Sequence, residues 1–186
     1  KQVDEVIKAH GGTPIIWKTG HSFIKSKVKE EHAAFGGELS GHFFFVDNFY
    51  GHDDGAIASL RLLAYLTRVN KSLEQVVSEL PQYVSSPEIK VGCPDAVKFQ
   101  VVSEKIGGEI KKLYPHATYV EIDGVRMDTE HEMLIIRASH NGPYLTVKFE
   151  GKTQQAYDVL KAQVNEILHK ISEINFVEGV NTKALE

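Results

Sequence analysis

Residues Met133 to Phe149 read MLIIRASHNGPYLTVKF. Two apolar, β-forming runs, MLII and YLTVKF, flank a polar interval rich in turn residues, the pattern of two strands joined at a loop. Working outward, Thr118 to Ile122 and Val125 to Asp128 are two further strand candidates, and Asp123-Gly124 between them is a hairpin signal. Beyond Phe149, residues Thr153 to Ile174 repeat apolar side chains at Tyr157, Leu160, Val164, Ile167, Ile171 and Ile174. Spacings of three and four give one continuous helical stripe. Before the strands, Ala96 to Leu113 reads as a helix and Glu88 to Val91 as a strand. The order strand, helix, four-strand meander, helix predicts an α+β two-layer domain over 84–186.

The interval PQYVSSP (81–87) carries two prolines and two serines between well-patterned regions and marks a domain boundary. Ahead of it the grammar changes to an α/β unit over 1–80. Residues 2 to 10 predict a helix stopped by Gly11-Gly12, and Thr13 to Trp17 a short buried strand. Phe23 to Ala33 predicts a helix with a basic face, ended by Gly36-Gly37. Phe43 to Val46 is apolar without alternation, as in a strand covered on both faces. Asp53-Asp54-Gly55 opens a helix that both aspartates can cap, with Ile57, Leu60, Leu63, Ala64 and Tyr65 as its buried stripe. A second helix runs from about Leu73 to Leu80 and stops at Pro81.

With 186 residues, 42% hydrophobic and 25% charged, the chain can bury proper cores. A net charge of -4 leaves no basic footprint for nucleic acid or an anionic membrane surface, so any anionic ligand must be caught locally. A single cysteine, Cys93, excludes an intrachain disulfide and a Cys-based zinc site. It points to a reducing, cytoplasmic setting and reads as a structural thiol. No apolar run approaches the ~20 residues of a membrane span. The chain opens at Lys1 inside a helical pattern, which leads to the expectation that it is part of a longer protein.

Three strings carry candidate chemistry. FGGELSGHFFF (35–45) sets Glu38, Ser40 and His42 at alternate positions, which in an extended segment would face one way. A carboxylate accepts two hydrogen bonds in a fork, matching vicinal hydroxyls, while Ser and His adapt as donor or acceptor. The same string also fits a solvated turn. Arg137 followed by Ala138, Ser139, His140, Asn141, Gly142 and Pro143 can aim a guanidinium fork and several amides at one phosphate, or be an ordinary hairpin with a surface arginine. Thr19-Gly20-His21, with Lys18 and Lys25 nearby, joins a histidine to a helix N-terminus, where a cap or an anion contact both fit. His52-Asp53-Asp54 has metal-ligand types, but capping accounts for the aspartates.

KTGHSFIKSKVKE, GGELSGHFFF followed by YGHDDG, and DGVR followed by IIRASHNGPYL resemble, in this order and spacing, the C-terminal half of the α-D-phosphohexomutases, the phosphomannomutase/phosphoglucomutase group. They lie where that family has its TGH turn, its GE(M)SGH sugar loop and its RASNTxP phosphate loop. The resemblance implies that residues 1–80 are the later part of the family's third domain and 84–186 its fourth, a TATA-box-binding-like fold. It implies an isomerase that moves a phosphoryl group between the 1 and 6 oxygens of mannose or glucose through a phosphoserine and a bisphosphorylated sugar.

By the same resemblance, Glu38, Ser40, His42 and His21 bind the sugar, while Arg137, Ser139, His140, Asn141 and Gly142 hold the phosphate that is not reacting. No catalytic residue is expected in this chain beyond His21 as a cleft residue, and no metal ligand. The nucleophilic serine and the magnesium-holding DGDGDR-type loop belong to the family's first two domains, and neither string occurs here. The expected partners are a hexose phosphate and those two domains, and the chain alone is expected to be inactive. His140-Asn141 stands where the family has Asn-Thr. Leu39 is closer to the Met of the phosphomannomutase/phosphoglucomutase group than to the Gln of phosphoglucosamine mutases, which remain an alternative, as does a non-catalytic phosphosugar-binding module.

Overall fold

The structure, a computed structural model, describes residues 1–186 and separates by contact into a unit of Val6–Pro81 and a unit of Gln82–Glu186 that includes Lys1–Glu5. Helix α1 (Gln2–Ala9) ends where the Gly11 and Gly12 amides return to the carbonyls of Lys8 and Ile7. Thr13 to Trp17 is not a strand: it pairs with no other segment in a ladder, and an unpaired run is not part of a sheet. Helix α2 (His21–Glu30) starts and stops earlier than its apolar pattern suggests, the turn falling at left-handed His32.

Gly36-Gly37 does not end α2. These glycines belong to strand β1 (Phe35–Gly37), which pairs antiparallel with β2 (Phe43–Phe45). The reason for glycine is space: a Cβ on Gly36 would stand 2.4 Å from Val28 Cγ2 and 3.1 Å from Ile24 Cγ2, so only glycine lets this strand lie against α2. Phe44 and Val28 are buried in that contact, whereas Phe43 and Phe45 are half-buried, so β2 is covered on one face and not on both.

Asp54 caps α3 (Gly55–Val69), accepting from the Ile57 amide at 2.9 Å. The expected stripe on α3 is not buried: Leu60 is 62% exposed and Leu63 59%. A two-stranded sheet is too narrow to cover a helix of four turns as well as α2. Helix α4 (Leu73–Ser78) opens on a reciprocal capping box between Ser72 and Gln75.

The other unit is built around one antiparallel sheet of seven strands. Its elements are β3 (Val84–Ser85), β4 (Ile89–Gly92), α5 (Lys98–Gln100), a wide π turn (Val101–Ile106), α6 (Gly107–Leu113), β5 (Thr118–Val120), β6 (Val125–Asp128), β7 (Glu132–Ala138), β8 (Tyr144–Gly151), α7 (Gln154–His169) and β9 (Asn175–Val180). The path is β5-β6-β7-β8-β4-β9, with β3 also on β8. One sheet face packs Ile89, Val91, Leu134, Ile136, Leu145, Val147 and Phe149 against Val102, Ile106, Leu160, Val164 and Leu168 of the helical layer. This is the two-layer α+β arrangement. The helical run begins at Lys98 rather than Ala96 and is interrupted by the π turn. Helix α7 stops at His169, capped by Lys170, short of Ile174. Ile171 still faces the core from the turn that follows, and the chain then forms β9, which pairs with β4.

Candidate functional site

The β1–β2 connection is not extended. The Glu38 amide donates to His42 O at 2.9 Å and the Gly41 amide to Glu38 O at 3.1 Å, so Leu39 to Gly41 form a tight turn and the alternation of 38, 40 and 42 does not give a shared face. Glu38 and His42 instead sit across the hairpin from each other, and Ser40 is at the exposed tip. Glu38 Oε2 accepts from the Gly20 amide at 3.0 Å. Its other oxygen, Oε1, is buried without a hydrogen-bond partner. Such an atom costs on the order of 1–3 kcal/mol unless something supplies a donor.

His42 and His21 are joined through Asp53. The Asp53 carboxylate takes the Phe43 amide on Oδ1 (3.1 Å) and meets His42 Nδ1 on Oδ2 (2.5 Å), with His21 Nε2 3.8 Å from the same oxygen. The two imidazoles stand edge to face, 5.7 Å between ring centres, and His21 lies over Phe44. The hydrogen bond to His42, then the Phe43 amide and the nearby imidazoles, hold the Asp53 carboxyl below the usual carboxylate range. An ionised Asp53 accepts only, so His42 carries its proton on Nδ1 and leaves Nε2 for a ligand.

Asp53 is the residue that sequence reasoning missed. Two adjacent aspartates before a helix both fit capping, but a helix has one N-cap and Asp54 occupies it. The available signal was that Asp53 precedes the cap by one residue, on the strand side. His52 lies apart, 3.3 Å from Lys25 Nζ.

In the other unit, residues 139–143 close the β7–β8 connection, Ala138 pairing with Leu145. The Ser139 amide donates to Tyr144 O, the Tyr144 amide to Gly142 O, and the Asn141 amide to Ser139 Oγ at 3.0 Å. Ser139 is therefore buried with its hydroxyl turned into the loop. The amides of His140 and Gly142 have no partner within the chain. Arg137 Nη1 and His140 Nε2 approach Asp123 at 3.9 and 3.8 Å, and the His140 ring lies against Phe99. Gly124, at φ +85°, makes this possible: a Cβ there would stand 2.3 Å from Ile136 O. Pro143 O accepts from the amide of Cys93, whose thiol is pushed up by burial. Arg126 is engaged by Asp128 and lies outside the loop.

The buried cation beneath this loop was also missed. Lys98 donates to Ser139 O (2.5 Å) and Gly142 O (2.9 Å) and pairs with Asp95 at 2.7 Å. No group of three or more His, Cys, Asp or Glu side chains is arranged to hold a metal ion, the His21–Asp53–His42 cluster included.

Residues 1–84 match the family described as phosphoglucomutase/phosphomannomutase, alpha/beta/alpha domain III. Over 172 residues, 92% of this chain and 36% of the relative, the chain is 34% identical to a phosphomannomutase/phosphoglucomutase of Pseudomonas syringae pv. tomato. It is 37% identical over 163 residues, 87% of this chain and 35% of the relative, to a phosphoglucomutase of Neisseria meningitidis serogroup A. A crystal structure of a phosphoglucomutase/phosphomannomutase family protein from Burkholderia thailandensis superposes with a TM-score of 0.72 at 31% identity, over 91% of this chain and 35% of that one. The chain is thus similar in fold and sequence to about a third of a class of phosphosugar mutases. Its likeness is to the phosphoglucomutase/phosphomannomutase family, and it spans about a third of the length of the curated relatives it matches. No helix in it is long and apolar enough to cross a membrane.

Proposed function

We propose that this chain is the sugar-recognising and distal-phosphate-holding part of a phosphohexomutase that interconverts the 1- and 6-phosphates of mannose or glucose. The observation that carries the reading is the buried, unpartnered Oε1 of Glu38 beside two half-exposed imidazoles. One oxygen is fixed by the Gly20 amide and the other awaits a donor, which a sugar hydroxyl supplies. His42 Nε2 and His21 are placed to accept from or donate to a neighbouring hydroxyl. Arg137, the free amides of His140 and Gly142, and the His140 imidazole suit the dianion of a phosphomonoester. The nucleophilic serine and the magnesium ion would come from parts of the protein that this chain does not contain, so the chain alone is inactive. A phosphoglucosamine mutase of Methanocaldococcus jannaschii is also similar, at 30% identity, below the 34–37% of the phosphomannomutase/phosphoglucomutase relatives. This ranking favours hexose over hexosamine phosphate.

An amide chemical-shift titration of the labelled chain tests the reading. Inorganic phosphate should move His140 and Gly142, and mannose 6-phosphate or glucose 6-phosphate should move these and also Gly20, Glu38 and His42. Silence of both sets up to millimolar ligand, or mutase turnover by the purified chain, would overturn it.

A further inference from the structure

We infer that Lys98 is the positioning residue of the 139–143 loop, holding its carbonyls inward so that its amides are presented to an anion; this rests on the phosphate-holding reading of that loop. Lys98 is 5% exposed, where a lysine is rare because an ammonium group loses its hydration. Its burial is compensated in full. An ammonium has three donors, and here they meet Ser139 O, Gly142 O and Asp95 Oδ1.

Two of these acceptors lie in the loop, at its entry and near its exit. The peptide between Ser139 and His140 is planar and trans, so its C=O and N–H point in opposite directions. Drawing the Ser139 carbonyl onto Lys98 therefore turns the His140 N–H away from the core, and that amide has no partner in the chain. The Gly142–Pro143 peptide has no N–H at all, so turning its carbonyl inward removes a negative dipole end from the outer face at no loss of a donor. What remains outward is the His140 and Gly142 amides with the side chains of Arg137 and His140. Asp95 offsets the charge of the ammonium, so what the lysine gives the loop is the orientation of its two carbonyls.

Nothing in the local sequence announces this. Lys98 lies about forty residues before the loop, on α5, and a lysine in an amphipathic helical run is ordinarily a solvent residue. The interior placement follows from the sheet: β4 and β7 flank β8, and the chain leaving β4 crosses beneath the β7–β8 connection, where the Cys93 amide already holds Pro143 O.

The test titrates inorganic phosphate into the labelled full chain, into Lys98→Met and into Lys98→Arg, following the amides of His140 and Gly142. Lys98→Met should bind phosphate about tenfold or more weakly while amide exchange in β7 and β8 stays as in the wild type, and Lys98→Arg should recover most of the affinity. A folded Lys98→Met that binds as tightly as the wild type overturns the inference and leaves the phosphate reading standing. A wild-type chain whose loop amides ignore phosphate overturns that reading, and the role of Lys98 with it. Should Lys98→Met not fold, the Lys98 ammonium resonance of the wild type decides: it should shift with the same dissociation constant as the His140 amide, and a resonance that stays still while that amide moves overturns the inference.

Discussion

The two units hold their candidate residues in opposite ways. In Gln82–Glu186 the 139–143 loop is the end of two long strands that run through a continuous core, and the loop inherits their rigidity. In Val6–Pro81 only Val28 and Phe44 are buried apolar side chains, and the hairpin that carries Glu38 and His42 is tied by polar bonds instead, through Asp53 and the Gly20 amide. The difference teaches where each site is vulnerable. Burial protects the first, and individual hydrogen bonds carry the second.

The largest effect should come from truncating the core that the loop's two strands run through. Phe149→Ala, at a fully buried side chain, should destabilise Gln82–Glu186 by about 3–5 kcal/mol, whereas Leu63→Ala on the exposed face of α3 should change Val6–Pro81 by less than ~0.5 kcal/mol. Denaturant titrations read by resonances of each unit check both; equal losses would end the contrast. Next is Gly36→Ala, which puts a methyl group into the Val28 side chain and should cost about 1–3 kcal/mol in the hairpin alone, read as faster amide exchange in β1 and β2.

The smallest change sharpens the comparison most. Because the folded Asp53 carboxyl titrates below its unfolded value of about 3.9, its bonds stabilise the hairpin above that pH, and the stabilisation is lost as acid carries the pH down through the folded pKa. Asp53→Asn should remove this acid-sensitive step, measured as the pH at which the His42 and Phe43 resonances lose their folded shifts. The loop around Ser139 should show no corresponding change.

The meander was legible because each of its strands is half or wholly buried and so carries its own apolar pattern; β6 matches its expected range, and β7 and β8 differ by one or two residues. β9 was hidden by continuity. Ile171 and Ile174 prolong the spacing of α7 past the point where the helix stops, and NFVEGV has too few buried positions to announce a strand whose place is set by the open edge of β4. The α3 stripe failed for the converse reason: periodicity reports that a face is apolar and not what lies against it. At the candidate sites, sequence reasoning singled out the histidines, Glu38 and Arg137 because their types name their chemistry. It misjudged the orientation of Ser40, since a two-residue period holds only while the chain stays extended, and it overlooked Asp53 and Lys98, whose usual roles at a helix end and on a helix surface hid their unusual ones.

Cys93 gives the chain a clock. Its thiol is 2% exposed at the end of β4, one backbone bond from the loop at Pro143, and no other sulfhydryl competes for a reagent. A thiol-specific label can reach it only when that corner of the sheet opens, so the rate of modification under native conditions counts openings there directly. Anything that grips the loop would slow the count.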